Sequence, residues 1–98
     1  MYHMDHLLTM LTSEKAKELR FRAGTPPVFV TDEEKHPLQG PPISSEEVMQ
    51  LLRSMATSRH LRDLRENGEV RFIFTPRGRA PFLIRARMCD DCVEFQVS

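Results

Sequence analysis

Apolar and polar residues alternate with a two-residue period through three consecutive runs in the second half of the chain. Val70, Phe72 and Phe74 alternate with Arg71, Ile73 and Thr75. Phe82, Ile84, Ala86 and Met88 alternate with Leu83, Arg85 and Arg87, and Val93, Phe95 and Val97 with Glu94, Gln96 and Ser98. Successive side chains of a strand point to opposite faces, so these runs predict three strands with one continuous apolar face. Pro76-Arg-Gly-Arg79 and Asp90-Asp91 separate them with turn-forming residues, which predicts antiparallel pairing in chain order. Earlier, Leu19-Arg-Phe-Arg22 alternates in the same way, Pro27-Val-Phe-Val30 is a second extended candidate, and the stretch around His36-Pro-Leu38 is a candidate edge strand. Thr31 to Pro42, with Asp-Glu-Glu-Lys, His-Pro and Gly-Pro-Pro, otherwise reads as turn and irregular loop.

Elsewhere the period is helical. From Asp5 to about Thr12, Leu7, Leu8, Met10 and Leu11 form one stripe, with Asp5 as the expected cap. Ser13 to Glu18 reads as a polar connection or a further helical turn. Ser44-Ser-Glu-Glu47 is a capping box, and the helix it opens carries Val48, Leu51, Leu52, Met55 and Ala56 on one face. Thr57 or Ser58 caps a further helix holding Leu61 and Leu64, closed by Asn67-Gly68. A sheet with one apolar face needs one cover, and the amphipathic helices supply it. The fold class is therefore α+β, a mostly antiparallel sheet covered on one face by helices. Its expected core is Leu19, Phe21, Leu51, Leu52, Phe72, Phe74, Phe82, Ile84, Val93 and Phe95.

Between the first two extended runs lies Ala23-Gly-Thr-Pro-Pro-Val28. Gly24 can take positive φ, and Pro27 forces Pro26 out of the helical region. Gly24, Pro26 and Pro27 thus read as a structural corner joining a strand to a second extended segment.

Length and charge narrow the possibilities. A chain of 98 residues is expected to form one domain over residues 1–98 with one modest core. Its 14 basic and 14 acidic side chains balance, so net charge selects no partner. No apolar run is long enough for a membrane helix, and Met1-Tyr-His-Met-Asp-His-Leu-Leu8 lacks the layout of a secretory signal, so a cytoplasmic location is expected. The balance hides an asymmetry, however. The alternation puts Arg20, Arg22, Arg71, Arg85 and Arg87 on the face away from the core, with Arg77 and Arg79 in the adjoining turn. Guanidinium groups pair with carboxylates or phosphates, so this face suits an acidic protein patch, a nucleotide or RNA. A protein interface would add apolar contact through Ile73 and Leu83. The plain alternative is a set of solvated charges that discourage strand-to-strand aggregation. Base-stacking RNA readers need exposed aromatics, but each Phe in these strands falls on the core face, which makes nucleic acid the weaker expectation.

Cys89 and Cys92 are the only cysteines, in Cys-Asp-Asp-Cys. With His3 and His6 they have the residue types of a tetrahedral zinc site. The simpler reading is a tight turn flanked by two cysteines, since a thioredoxin-like motif would stand at a helix start rather than between strands. No nucleophile–base arrangement, paired carboxylates or complete metal set appears, so no catalytic residue, metal or cofactor is assigned.

Taken in order, these motifs resemble the N-terminal domain of the PilT family, hexameric motor ATPases that retract type IV pili. The likeness covers nearly the whole chain. Lys17-Glu-Leu-Arg-Phe21 stands where the family has a strand like Ser-Asp-Leu-His-Leu, followed by Gly24-Thr-Pro-Pro27. Pro37-Leu38, the helix Ser44 to Leu52 and Glu69-Val-Arg-Phe72 follow in the family's order. The resemblance implies a PAS-like α/β domain in type IV pilus and type II secretion machinery, with twitching motility among the processes served. It implies a protein partner such as a pilus or secretion motor ATPase. The chain departs from the family at Val30, where an Arg usually stands. It departs again in Pro81-Phe-Leu-Ile-Arg85, where two arginines of a nucleotide- or neighbour-contacting strand are replaced. Gly-x-x-x-x-Gly-Lys-Ser/Thr occurs nowhere in the 98 residues, so a non-catalytic interaction or regulatory module is expected.

Overall fold

In the computed structural model, which describes residues 2–13, 15–32, 34–90 and 92–98, three helices cover one face of a six-stranded sheet. The elements run α1 (Met4–Ser13), β1 (Glu18–Phe21), β2 (Val28–Val30), β3 (Lys35–Pro37), α2 (Ser45–Arg53), α3 (Ser58–Asn67), β4 (Glu69–Phe74), β5 (Phe82–Cys89) and β6 (Cys92–Val97). The fold is α+β. Strand order is β3-β2-β1-β6-β5-β4, and each neighbouring pair is antiparallel. The last strand is thus inserted beside the first, so β1 and β6 meet at the centre of the sheet.

Local sequence explains most element boundaries. Ser44 caps α2 by accepting from the Glu47 N–H, while Glu47 reaches back to the Ser44 backbone. Thr57 caps α3 in the same reciprocal way with His60 in the place a Glu or Gln usually holds: the Thr57 N–H donates to His60 Nδ1. Gly68 ends α3 at φ +79°, and its N–H closes on the Leu64 carbonyl. The cap of α1 differs from expectation. Asp5 lies inside the first turn, one residue past the helix start, and the first bond runs from the Leu7 N–H to the His3 carbonyl. Its carboxylate acts there on the positive end of the helix rather than as a cap.

The core lies between the helices and the inner sheet face. Leu7, Leu8 and Leu11 of α1, Val48 and Leu52 of α2 and Leu64 of α3 meet Leu19, Phe21, Phe29, Phe72, Ile84, Val93, Phe95 and Val97. At the sheet centre Phe21 and Phe95 oppose one another in register and stack with centroids 4.4 Å apart. Two expected core residues are only half-buried, Phe74 and Phe82. They form the register pair next to the β4–β5 turn, and Phe82 lies beyond the Leu83–Ser98 pair where the pairing with β6 ends. Phe74 there borders an open cleft of about 370 Å³ with Tyr2, Met4, Leu51 and Ser54.

The corner at Gly24 fastens the loop before α2. Gly24 takes φ +90°, and a Cβ there would meet nothing within 4 Å, so backbone conformation rather than space calls for glycine. Its N–H donates to the Ile43 carbonyl and the Ile43 N–H returns to Thr25, which seats Ile43 in the core. Pro27 is fully buried and Pro26 half-buried.

Candidate interaction face

None of the helices described covers the second face of the sheet, and strand register fixes what stands on it. Because Leu19 and Phe21 point inward, Arg20 points outward. The paired registers then set Pro37, Val28, Arg20, Gln96, Arg85 and Arg71 in one row across all six strands. A second row begins Ile73, Leu83 and Ser98, where Leu83 and Ser98 exchange both backbone hydrogen bonds. A third holds Glu69, Arg87 and Glu94, with Arg22 near its end.

The arginines on this face do not act alike. Arg87 Nη2 donates to Glu94 Oε1 at 2.7 Å, and Arg22 Nε lies 4.0 Å from the other oxygen of the same carboxylate. The hydrogen bond and charge of Glu94 raise the Arg87 guanidinium above its ordinary pKa. Arg20 pairs with Glu18 two residues back on its own strand. Acidic residues therefore sit among the basic ones, and the face is less uniformly basic than the alternation suggests. Arg79 leaves the group altogether and donates to Thr9 of α1, while Arg77 is exposed in the turn.

Arg71 and Arg85 remain. They are directly opposite in register, both exposed, and neither makes an ion pair among the described residues. Like charges facing across two strands are unfavourable. Beside them stand Ile73, 62% exposed and the one exposed large hydrophobe among the described residues, and its half-buried partner Leu83. Of the seven residues expected to form the face, the structure brings Arg71, Ile73, Leu83 and Arg85 together on β4 and β5. It sets Arg20, Arg22 and Arg87 apart as internally compensated charges. Gln96 and Val28, which extend the row, carried no signal as site residues, because nothing local in the sequence pairs β1 with β6.

Cys89 and Cys92 flank the β5–β6 turn, opposite each other in register and both exposed. Asp90 takes φ +56° in that turn, and Asp91 lies outside the described residues. His3 and His6 belong to the region of α1, against the covered face. Among the described residues no three His, Cys, Asp or Glu side chains gather as a metal set. None of the helices described is long and apolar enough to cross a membrane.

Six antiparallel strands in this order with three helices on one face define an α+β fold that recurs in solved structures of a pilus retraction motor and of an ATPase. The chain is similar to the pilus retraction motor PilT, solved with bound ADP, at a TM-score of 0.89 and 23% identity. It is similar also to the ATPase DotB of Legionella pneumophila, at a TM-score of 0.83 and 17% identity. The alignments take in 99% and 96% of this chain but only 29% and 27% of those proteins. At these identities the likeness establishes the fold alone, an α+β arrangement of helices on an antiparallel sheet as the alternation predicted. The chain spans under a third of the length of each of these two proteins. No protein-family profile matches the chain, nor does any curated protein.

Proposed function

We propose that residues 1–98 form one PilT N-terminal-like domain that acts as a non-catalytic docking module of pilus or secretion motor machinery. Its partner would be a protein with an acidic surface, such as a motor ATPase. The observation that carries this reading is the cluster on β4 and β5. Two uncompensated guanidiniums face each other, with the exposed Ile73 and its partner Leu83 beside them. An acidic group placed between Arg71 and Arg85 relieves their repulsion and accepts planar, charge-assisted hydrogen bonds. Burying Ile73 against the same partner adds an apolar centre, the composition usual for protein interfaces. The fold shared with parts of the pilus retraction motor PilT and the ATPase DotB supports the choice of machinery.

A nucleotide or RNA would engage the same arginines, and the apolar Ile73 weighs against it. Pull-downs from lysate, with and without nuclease and at low and moderate salt, separate the two. A motor or pilus protein retained after nuclease at moderate salt, and lost with Arg85→Glu, is the expected result. A partly apolar interface is screened only in part. Recovery that disappears with nuclease and falls steeply with salt, as phosphate counterions are released, overturns it in favour of nucleic acid.

A further inference from the structure

The β5–β6 turn brings together two side chains that the proposed docking leaves unused. Leu83 and Ser98 exchange both backbone hydrogen bonds, and such pairs alternate along an antiparallel ladder. Counting along the registered partners, Arg85/Gln96, Arg87/Glu94 and Cys89/Cys92 are hydrogen-bonded pairs as well. Residues in such a pair have Cα atoms about 5.5 Å apart and side chains on the same face. A disulfide accepts Cα separations of roughly 4.4–6.8 Å but takes Cβ separations of about 3.5–4.5 Å. Cβ atoms of a hydrogen-bonded pair stand about 5.5 Å apart, so closing the bond strains it and makes it more readily reduced. Both thiols are free and exposed on the uncovered face, so a small reagent reaches them without opening the core.

We propose that Cys89 and Cys92 are a reversible dithiol–disulfide site, oxidised by a low-molecular-weight disulfide of the glutathione class. One cysteine thiolate attacks a sulfur of the small disulfide, forming a protein–glutathione mixed disulfide and releasing one glutathione thiolate. The second cysteine then attacks the protein sulfur of that bond and releases the second glutathione. Two protein thiols and one small disulfide become one protein disulfide and two small thiols, with two electrons passing to glutathione. Register makes the second step intramolecular, so the mixed disulfide is short-lived. The bond closes a loop that the hairpin already closes. It therefore adds little of the restraint that long-loop disulfides bring, and it suits reversible chemistry better than structural bracing.

The test uses the 98-residue chain in glutathione buffers running from strongly reducing to strongly oxidising, quenched with acid, alkylated and weighed intact. The expected product is a monomer lighter by two hydrogens, blocked to alkylation at Cys89 and Cys92 and restored by excess reduced glutathione. Cys89→Ser and Cys92→Ser should each carry one glutathione and never give the lighter species. Wild-type protein that stays fully alkylatable across the series overturns the proposal. So does wild-type protein that accumulates as stable mixed disulfides or only as cross-linked dimers.

Discussion

Arg71 and Arg85 are set against each other by the same register that builds the sheet. Their repulsion costs the free domain stability, which the carboxylate of the proposed acidic partner would restore. Replacing Arg71 with Thr should therefore stabilise the isolated chain by about 0.2–1 kcal/mol in urea denaturation while weakening partner recovery. A loss of stability would show that the two guanidiniums do not oppose each other. At Gly24 the backbone sits at φ +90° with open space where a Cβ would stand. Gly24→Ala should cost about 1–2 kcal/mol from conformation alone, with core packing unchanged. A neutral result would mean that the corner relaxes to negative φ. Phe72 is buried and stacks on His60 with centroids 4.1 Å apart. Phe72→Ala should cost about 3–5 kcal/mol. Phe74→Ala should cost clearly less, because Phe74 already borders an open cleft.

Among the elements, α3 depends most on its cap. Of its ten residues only Leu64 is buried, so burial alone holds it weakly against β4 and β5. The reciprocal bonds between Thr57 and His60 satisfy donors that would otherwise be left at its N-terminus. His60 also lays its ring on Phe72, so one residue serves both the helix start and the sheet edge. Thr57→Ala should cost about 1 kcal/mol and raise amide exchange first in α3. Exchange that rises evenly through the sheet instead would show that α3 and the strands open as one unit. The α2 cap is the natural comparison, because Val48, Leu51 and Leu52 anchor that helix independently.

For the molecule as a whole, phosphoryl transfer needs a phosphate-cradling loop, its lysine and an acid that holds the metal. The sequence contains no Gly-x-x-x-x-Gly-Lys-Ser/Thr, and the fold corresponds to under a third of PilT or DotB. Purified chain should release no phosphate from ATP above a buffer blank. Turnover that scales with protein and persists through repurification would refute the non-catalytic reading.

The sequence by itself determined which residues face the core and where α2 and α3 begin. Strand alternation assigns faces with no knowledge of neighbours, and Ser44, Thr57 and Gly68 act within a few residues of themselves. The β5–β6 hairpin was equally legible, since a short polar turn between two alternating runs leaves little choice of register. Tertiary structure decided what alternation cannot encode. Pairing β6 with β1 joins segments from the two ends of the chain, chosen by the fit of Phe21 to Phe95 and of Leu19 to Val97 across the core. That pairing puts Arg22 within reach of Glu94, already bonded to Arg87, and so separates compensated arginines from the Arg71–Arg85 pair. Position along the strands likewise left Phe74 and Phe82 half-buried, because their register pair lies next to the β4–β5 turn, beyond the Leu83–Ser98 pair where the pairing with β6 ends. Face is a local property of the chain, whereas neighbours across the sheet are fixed only when distant segments close over a common core.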